Sequence, residues 1–238
     1  MLTQIELDDI KIDVVFKDIK NVHLSVYPPN GRVRIAAPLR MNADTIRAFA
    51  ISKLSWIRQQ QEKIQAQERE TPREYLCRES HYLWGKRYLL DVVEANSRPD
   101  VQLEHAKMIL QVRPGTDENR KQAIVEEWYR AQLRQAATPL ISKWQPLIGV
   151  KVERLFVQRM KTKWGSCSPK SGNIRLNTDL AKKPPECLEY ILVHEIVHLL
   201  EPTHNARFVS LMDSFVPKWQ FYREALNRLP VRYEHWDY

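Results

Sequence analysis

The sequence predicts an α+β protein with a strand-rich N-terminal part and a mainly helical C-terminal part. Three observations carry this. Apolar and polar residues alternate in several short runs before residue 113, which is the two-residue period of half-buried strands. From Asp117 onward the apolar residues instead recur mostly at helical spacing. Glycine is scarce, 6 in 238 residues, which disfavours a turn-rich all-β fold. A chain of this length makes one large domain or two small ones. The expected division is a strand-rich region over 1–115, with one long helix at about 42–70, and a mainly helical region over 116–238.

The elements follow in order. Ile10, Ile12, Val14 and Phe16 alternate with polar residues, as do Val22, Leu24 and Val26. Pro28-Pro29-Asn30-Gly31 then turns the chain into Val33, Ile35 and Ala37, and Asn-Gly between alternating runs signals a hairpin. Asn42 or Asp44 can cap a helix whose apolar face is Ile46, Phe49, Ala50, Leu54 and Ile57. Strands are expected again at Tyr82–Trp84, Tyr88–Val93, Val101–Leu103 and Met108–Val112, with turns at Gly85-Lys86 and His105-Ala106-Lys107. Thr116 or Asp117 caps a helix carrying Ile124, Val125, Trp128 and Leu133, and Pro139 and Pro146 predict a break in it. Val150–Val157 and Asn173–Asn177 read as strands joined by a loop, MKTKWGSCSPKSG. Pro184-Pro185 opens a helix bearing Leu188, Ile191, Leu192 and Leu199. The aromatic C-terminus, Tyr233–Tyr238, has no assigned role, and no internal repeat is visible.

Composition narrows the function classes. Hydrophobic residues are 43% and charged residues 28%, as in a globular protein. No apolar run reaches the length of a membrane span, so no membrane partner is expected. The first residues carry acids at 6, 8, 9 and 13, unlike a signal peptide. Three scattered cysteines (77, 167, 187) make no disulfide framework, which points to a reducing, cytoplasmic setting. The net charge is +8. Nine Lys/Arg against two acids in 151–183 concentrate nearly all of it there. Such a segment is either a solvated face or a surface for an anionic substrate or a nucleic-acid-proximal partner.

The helix after Pro185 contains His194-Glu195-Ile-Val-His198. Residues four apart share a helix face, so two imidazoles can meet one metal ion. Glu195 is then placed to address a metal-activated water rather than the metal. Zinc suits such a set, because a catalytic site needs three protein ligands and one open position. Pro202 stops the helix, and His204 follows at the spacing of the metzincin pattern, although Glu201 stands where that pattern has glycine and no Met-turn is visible. Residue frequencies make this set an accident on the order of one chain in two thousand. Glu224 is a rival third ligand of the gluzincin kind. Cys167 reads as a small packed residue rather than a nucleophile. Trp164 is either a packing residue or part of the substrate surface. Arg159, Lys161 and Lys163 stand two apart, so on an extended segment they would point to one side, toward either the cleft or solvent. His23, His81, His105 and His235 are read as ordinary.

These residues resemble the YgjP-like metallopeptidases, which are related to SprT-like and other zincin domains. The resemblance rests on Lys163-Trp164-Gly165-Ser166-Cys167-Ser168, Asn173–Asn177, Tyr190–Leu199 and His204-Asn-Ala-Arg-Phe208. It is close over about 155–226 and weaker toward the N-terminus, where Lys53-Leu-Ser-Trp56-Ile57 contributes. It implies a zincin-like α+β catalytic core, zinc on His194, His198 and His204, and Glu195 as general base. The reading is a zinc-dependent hydrolase, foremost a metallopeptidase. A metal-dependent nucleoside triphosphate pyrophosphohydrolase is an alternative motivated by the basic segment, with a nucleotide in place of a peptide substrate. A non-catalytic nucleic-acid-associated zinc protein is a third, against which Glu195 argues, since a structural site needs no carboxylate beside its ligand.

Overall fold

The computed structural model describes residues 2–27, 30–66 and 68–231. The chain forms two compact units, one made of residues up to Glu70 together with those from Pro230, the other of Thr71–Leu229. The expected division near 115 differs from this grouping. Strands in 80–112 share their core with the helix that follows them, through Leu90, Met108, Leu110, Val125, Tyr129 and Leu133.

In the first unit, β1 (Leu2–Leu7), β2 (Ile10–Lys17), β3 (His23–Tyr27) and β4 (Arg32–Pro38) form a sheet in the order β1-β2-β4-β3. β2 and β4 are parallel and the outer pairs antiparallel. Alternation buries Ile12, Val14, Val33 and Ile35 on one face, against Ile46, Ala50 and Ile57. The β3–β4 hairpin is present. Gly31 sits at φ +73°, and a Cβ there would meet Gln61 Cγ at 2.8 Å, so the turn requires glycine. Pro28 and Pro29 lie outside the described residues, as do Tyr233–Tyr238 and His235.

The helix expected over about 42–70 is two, α1 (Ala43–Ser52) and α2 (Leu54–Ala66). Asn42 caps the first by accepting from Thr45 N at 2.8 Å. The break has a local cause. The Ser52 hydroxyl donates to the Phe49 carbonyl, the acceptor that Lys53 N–H would use in a continuous helix, and Lys53 N–H goes to Ala50 O instead. Val231 pairs back against Glu68–Glu70.

The second unit begins with β5 (Ser80–Leu83), β6 (Lys86–Glu94), β7 (Asp100–Glu104) and β8 (Lys107–Val112), in the order β5-β6-β8-β7. β6 and β8 are parallel and the outer pairs antiparallel, so the topology of the first sheet recurs. The repeat is one of backbone pairing and is not visible as sequence identity. α3 (Glu118–Ile148), capped by Asp117, runs through both prolines without the expected break. Pro139 and Pro146 are exposed, and the carbonyls they release belong to exposed Gln135 and Ser142, which water can satisfy. The buried stripe Val125, Tyr129, Leu133, Ala137, Trp144 and Ile148 holds the helix together across them.

A three-stranded sheet follows, in the order β10-β11-β9, from β9 (Arg154–Gln158), β10 (Gly165–Ser168) and β11 (Asn173–Asn177). β9 starts four residues later than expected. β10, expected as loop, is an edge strand antiparallel to β11. After a short 3-10 helix at Thr178–Lys182 come α4 (Pro185–Val197), α5 (Ala206–Phe215) and α6 (Trp219–Arg228). The fold is thus α+β, with mixed sheets and a helical C-terminal part. No helix among the described residues is long and apolar enough to cross a membrane.

Candidate metal centre

α4 starts on Pro185, whose missing N–H costs nothing at that position. Cys187, Leu188, Ile191, Leu192, Val193, Ile196 and Val197 are all buried, which makes the helix a rigid core element. His194 lies in its last turn and His198 closes it. The two rings are 4.8 Å apart by centroid. Past Pro202, Glu201 Oε1 accepts from the Thr203 hydroxyl at 3.0 Å, and Asn205 caps α5 by accepting from Phe208 N at 3.0 Å. His204 is held between these two turns. Its Nε2 lies 3.0 Å from His194 Nε2, and its ring lies 4.7 Å from that of His198.

His194, His198 and His204 each offer a ligand atom within 4.8 Å of the others, an arrangement able to hold a metal ion. His198 Nδ1 donates to the Glu201 carbonyl at 3.0 Å, which leaves its Nε2 as the free lone pair. Burial, reinforced by His198, His204 and Arg223, lowers the His194 pKa to about 3, so this imidazole is neutral, as a ligand must be. Among the described residues, Glu224 is not part of this group. It is exposed on α6 and pairs with Arg228.

Glu195 is one residue on from His194, roughly 100° around the helix, and its carboxylate lies against Gly165 of β10. Only 6% of it is exposed. A Cβ on Gly165 would meet Glu195 Oε1 at 2.7 Å, so the glycine is what admits the carboxylate. Burial raises the Glu195 pKa to about 7, against a smaller opposing pull from Lys163.

The segment 159–164 is not extended. Bends fall at Lys161, Thr162 and Trp164, so alternation does not set Arg159, Lys161 and Lys163 on one side. All three are exposed. Lys163 is the one whose charge reaches Glu195. Trp164 is half-buried against the core, with Lys183 Nζ 5.8 Å over its ring. The basic segment is not one continuous face either. Lys182 and Lys183 are buried, Lys182 pairs with Asp179 at 2.8 Å, Lys151 pairs with Glu153, and Arg175 lies over Phe156. Burial, then the charge of Glu195, pushes the Cys167 thiol up to about 11, which fits a packed residue.

Two residues that matter here had no assigned role in the sequence. Asn177 is buried and donates to the carbonyls of Met160 (2.8 Å) and Lys163 (2.9 Å), stapling the 160–164 segment beside Glu195. Its place at the end of an expected strand gave no sign of this. Tyr190 packs its ring 6.0 Å from His194 and stacks on Trp219 of α6 at 6.5 Å. Tyr190 precedes His194 by one helical turn, a spacing that could have signalled it. Outside the site, His81, read as ordinary, is 1% exposed, with Nε2 2.9 Å from Glu79 Oε1.

Among solved structures, the chain is similar to two metallopeptidase zymogens. One is jannalysin of Methanocaldococcus jannaschii, at 19% identity over 37% of this chain and 90% of that one, with a TM-score of 0.34. The other is abylysin of Pyrococcus abyssi, at 20% identity over 41% of this chain and 90% of that one, with a TM-score of 0.33. No match was found among curated proteins. The profile of the YgjP-like metallopeptidase domain matches residues 20–229, which takes in the second and third sheets, the three histidines and Glu195. The chain belongs to the YgjP-like metallopeptidase family.

Proposed function

We propose that the chain is a zinc-dependent peptidase in which His194, His198 and His204 hold the metal and Glu195 moves the proton. The observation that carries this is the convergence of three imidazoles on one point beside a buried carboxylate. His194 Nε2 and His204 Nε2 face each other at 3.0 Å, a contact between two nitrogens that calls for a proton or a cation between them. Three nitrogen donors with an open side suit zinc. A zinc ion held there would supply Lewis-acid polarisation of a carbonyl and a lowered pKa for water at its open position.

The chain's own residues do the rest. Glu195, with a pKa near 7, can take a proton from the attacking water and deliver it to the leaving amine. Gly165 and Asn177 keep that carboxylate and its flanking segment in place. β10, the edge strand next to Glu195, offers backbone groups along which an extended peptide can align. Lys163, with Arg159 and Lys161 near it in sequence, would favour acidic side chains, and Trp164 forms a wall of the 160–164 segment. A peptide substrate fits this arrangement better than a nucleotide, because several cations of the basic segment are occupied internally. Cys77, Cys167 and Cys187 are free thiols, which fits a cytoplasmic setting.

The test is metal content together with turnover of fluorescent casein and of nucleoside triphosphates, wild type beside Glu195→Gln. About one zinc per chain, with casein cleavage lost in a metal-replete Glu195→Gln protein, supports the reading. Nucleotide hydrolysis that depends on Glu195, without casein cleavage, overturns the substrate class. Undiminished cleavage in Glu195→Gln overturns the mechanism.

A further inference from the structure

The ligand atoms above do not explain how the three imidazoles are kept facing one another. His198 has its hydrogen bond to Glu201 O. His194 has none of that kind, because its Nδ1 is buried without a hydrogen-bond partner. His204 is exposed on a turn. What all three rings share is Phe208. Its side chain is 1% exposed. Its ring centroid lies 4.9 Å from that of His194, 4.6 Å from His198 and 4.7 Å from His204. It meets His194 and His204 edge-on, at 71° and 76°, and stacks on His198 at 30°. Edge and stacked contacts at this range are the favourable aromatic geometries.

We infer that Phe208 is a positioning residue of the metal centre, a buried aromatic floor that sets the orientation of all three histidine rings. This rests on the metal reading proposed above. The local sequence explains how the floor arrives. Asn205 follows His204 directly and accepts from the Phe208 backbone N–H, so one cap fixes both the third ligand's turn and the start of the helix that carries the ring. Met212, one turn further, anchors the same helix face in the core. Metal ligands ordinarily depend on outer partners for their orientation, and losing such a partner costs 10- to 100-fold in affinity. At His194 that partner is aromatic rather than polar.

The experiment replaces Phe208 with Leu, which stays apolar and removes the ring, and uses Met212→Ala as a control for generic loss of core. Zinc affinity is measured by chelator competition, the ligand field by the visible absorption of the cobalt(II)-substituted protein, and folding by the melting temperature without metal. Phe208→Leu should weaken zinc roughly 10- to 100-fold and alter the cobalt spectrum, while Met212→Ala lowers the melting temperature and leaves the spectrum unchanged. Wild-type affinity and spectrum in a folded Phe208→Leu protein overturn the inference. So does an equal loss of affinity in both variants. If Phe208→Leu does not fold, Phe208→Met carries the same measurement, and failure of both to fold overturns it in favour of a purely structural residue. A wild-type protein that binds no zinc refutes the metal reading itself, which is a different result.

Discussion

Gly165→Ala tests the seat of Glu195 most directly. The added methyl would stand 2.7 Å from Glu195 Oε1, 2.8 Å from Cγ and 3.0 Å from Cδ, where ordinary contact begins near 3.4 Å. The carboxylate must move by about 0.7 Å or the edge strand must retreat by as much. Glycine's freedom of φ is not involved, because Gly165 does not adopt a positive φ. A displacement near 1 Å at a reacting group costs on the order of 100-fold, so kcat/KM on fluorescent casein should fall roughly 10- to 100-fold. Overpacking by one methyl costs about 1–3 kcal/mol, which for a chain of this size lowers Tm by roughly 2–12 °C. Zinc content should stay near wild type, since the atoms nearest the added methyl all belong to Glu195 and none to a histidine. The assay is kcat/KM, metal analysis and thermal denaturation on one preparation. Activity within twofold of wild type would refute the reasoning, because it would mean that Glu195 is not packed against Gly165. Loss of zinc in parallel with activity would refute it too, by showing that the helix rather than the carboxylate had moved.

His194→Ala, His198→Ala and His204→Ala should each abolish tight zinc binding, and Glu224→Ala should retain it by metal analysis. Lys163→Ala should lower kcat/KM for an acidic peptide more than for a neutral one. The difference should shrink as salt rises, because exposed charges are screened over ~10 Å at 0.1 M. In Glu79, burial alone raises the pKa, but hydrogen bonding to His81 and to the backbone of Glu74 and Tyr75 outweighs it and brings the carboxyl down to about 2. Its stabilising contribution is therefore complete above about 4.5 and is lost as pH falls toward 2. Glu79→Gln should lower Tm at pH 7 and lower it much less at pH 2.5, by thermal denaturation.

The parts of this molecule legible in the sequence are those set by local periodicity. Alternation marked the strands of both four-stranded sheets except β1, because each sheet buries one face. His194 and His198 were legible because four residues make about one helical turn, and His204 because Pro202 must end the helix before it. What was not legible depends on partners distant in sequence or on side-chain competition. The apolar stripe Ile46, Ala50, Ile57 runs straight through the break at Lys53, which a serine hydroxyl causes. α3 survives its prolines because its buried stripe outweighs two lost hydrogen bonds on the exposed side. β10 reads Gly-Ser-Cys-Ser, with no β-branched or large apolar residue, and is a strand only because β11 pairs with it. A count of charges could not show that Lys182 and Lys183 are buried.

The motif His-Glu-x-x-His sets a geometric problem that the surrounding fold has to solve. Adjacent residues on a helix point roughly 100° apart, so His194 and Glu195 cannot be supported from the same side. Two separate supports are therefore needed, and the chain supplies them from opposite directions in sequence. Downstream, the Asn205 cap and Phe208 back the histidine side. Upstream, Gly165 on β10 leaves room for the carboxylate, while Asn177 at the end of β11 ties down the segment that leads into β10. The upstream support gives Gly165, within Trp164-Gly165-Ser166-Cys167, a structural role that needs no chemistry at the cysteine. The glycine is required by the approach of Glu195, the tryptophan packs against the core, and burial, then the charge of Glu195, raises the Cys167 thiol. A change on one side should therefore leave the other intact. Variants at Gly165 should lose proton transfer while keeping metal, and variants at Phe208 should lose metal first.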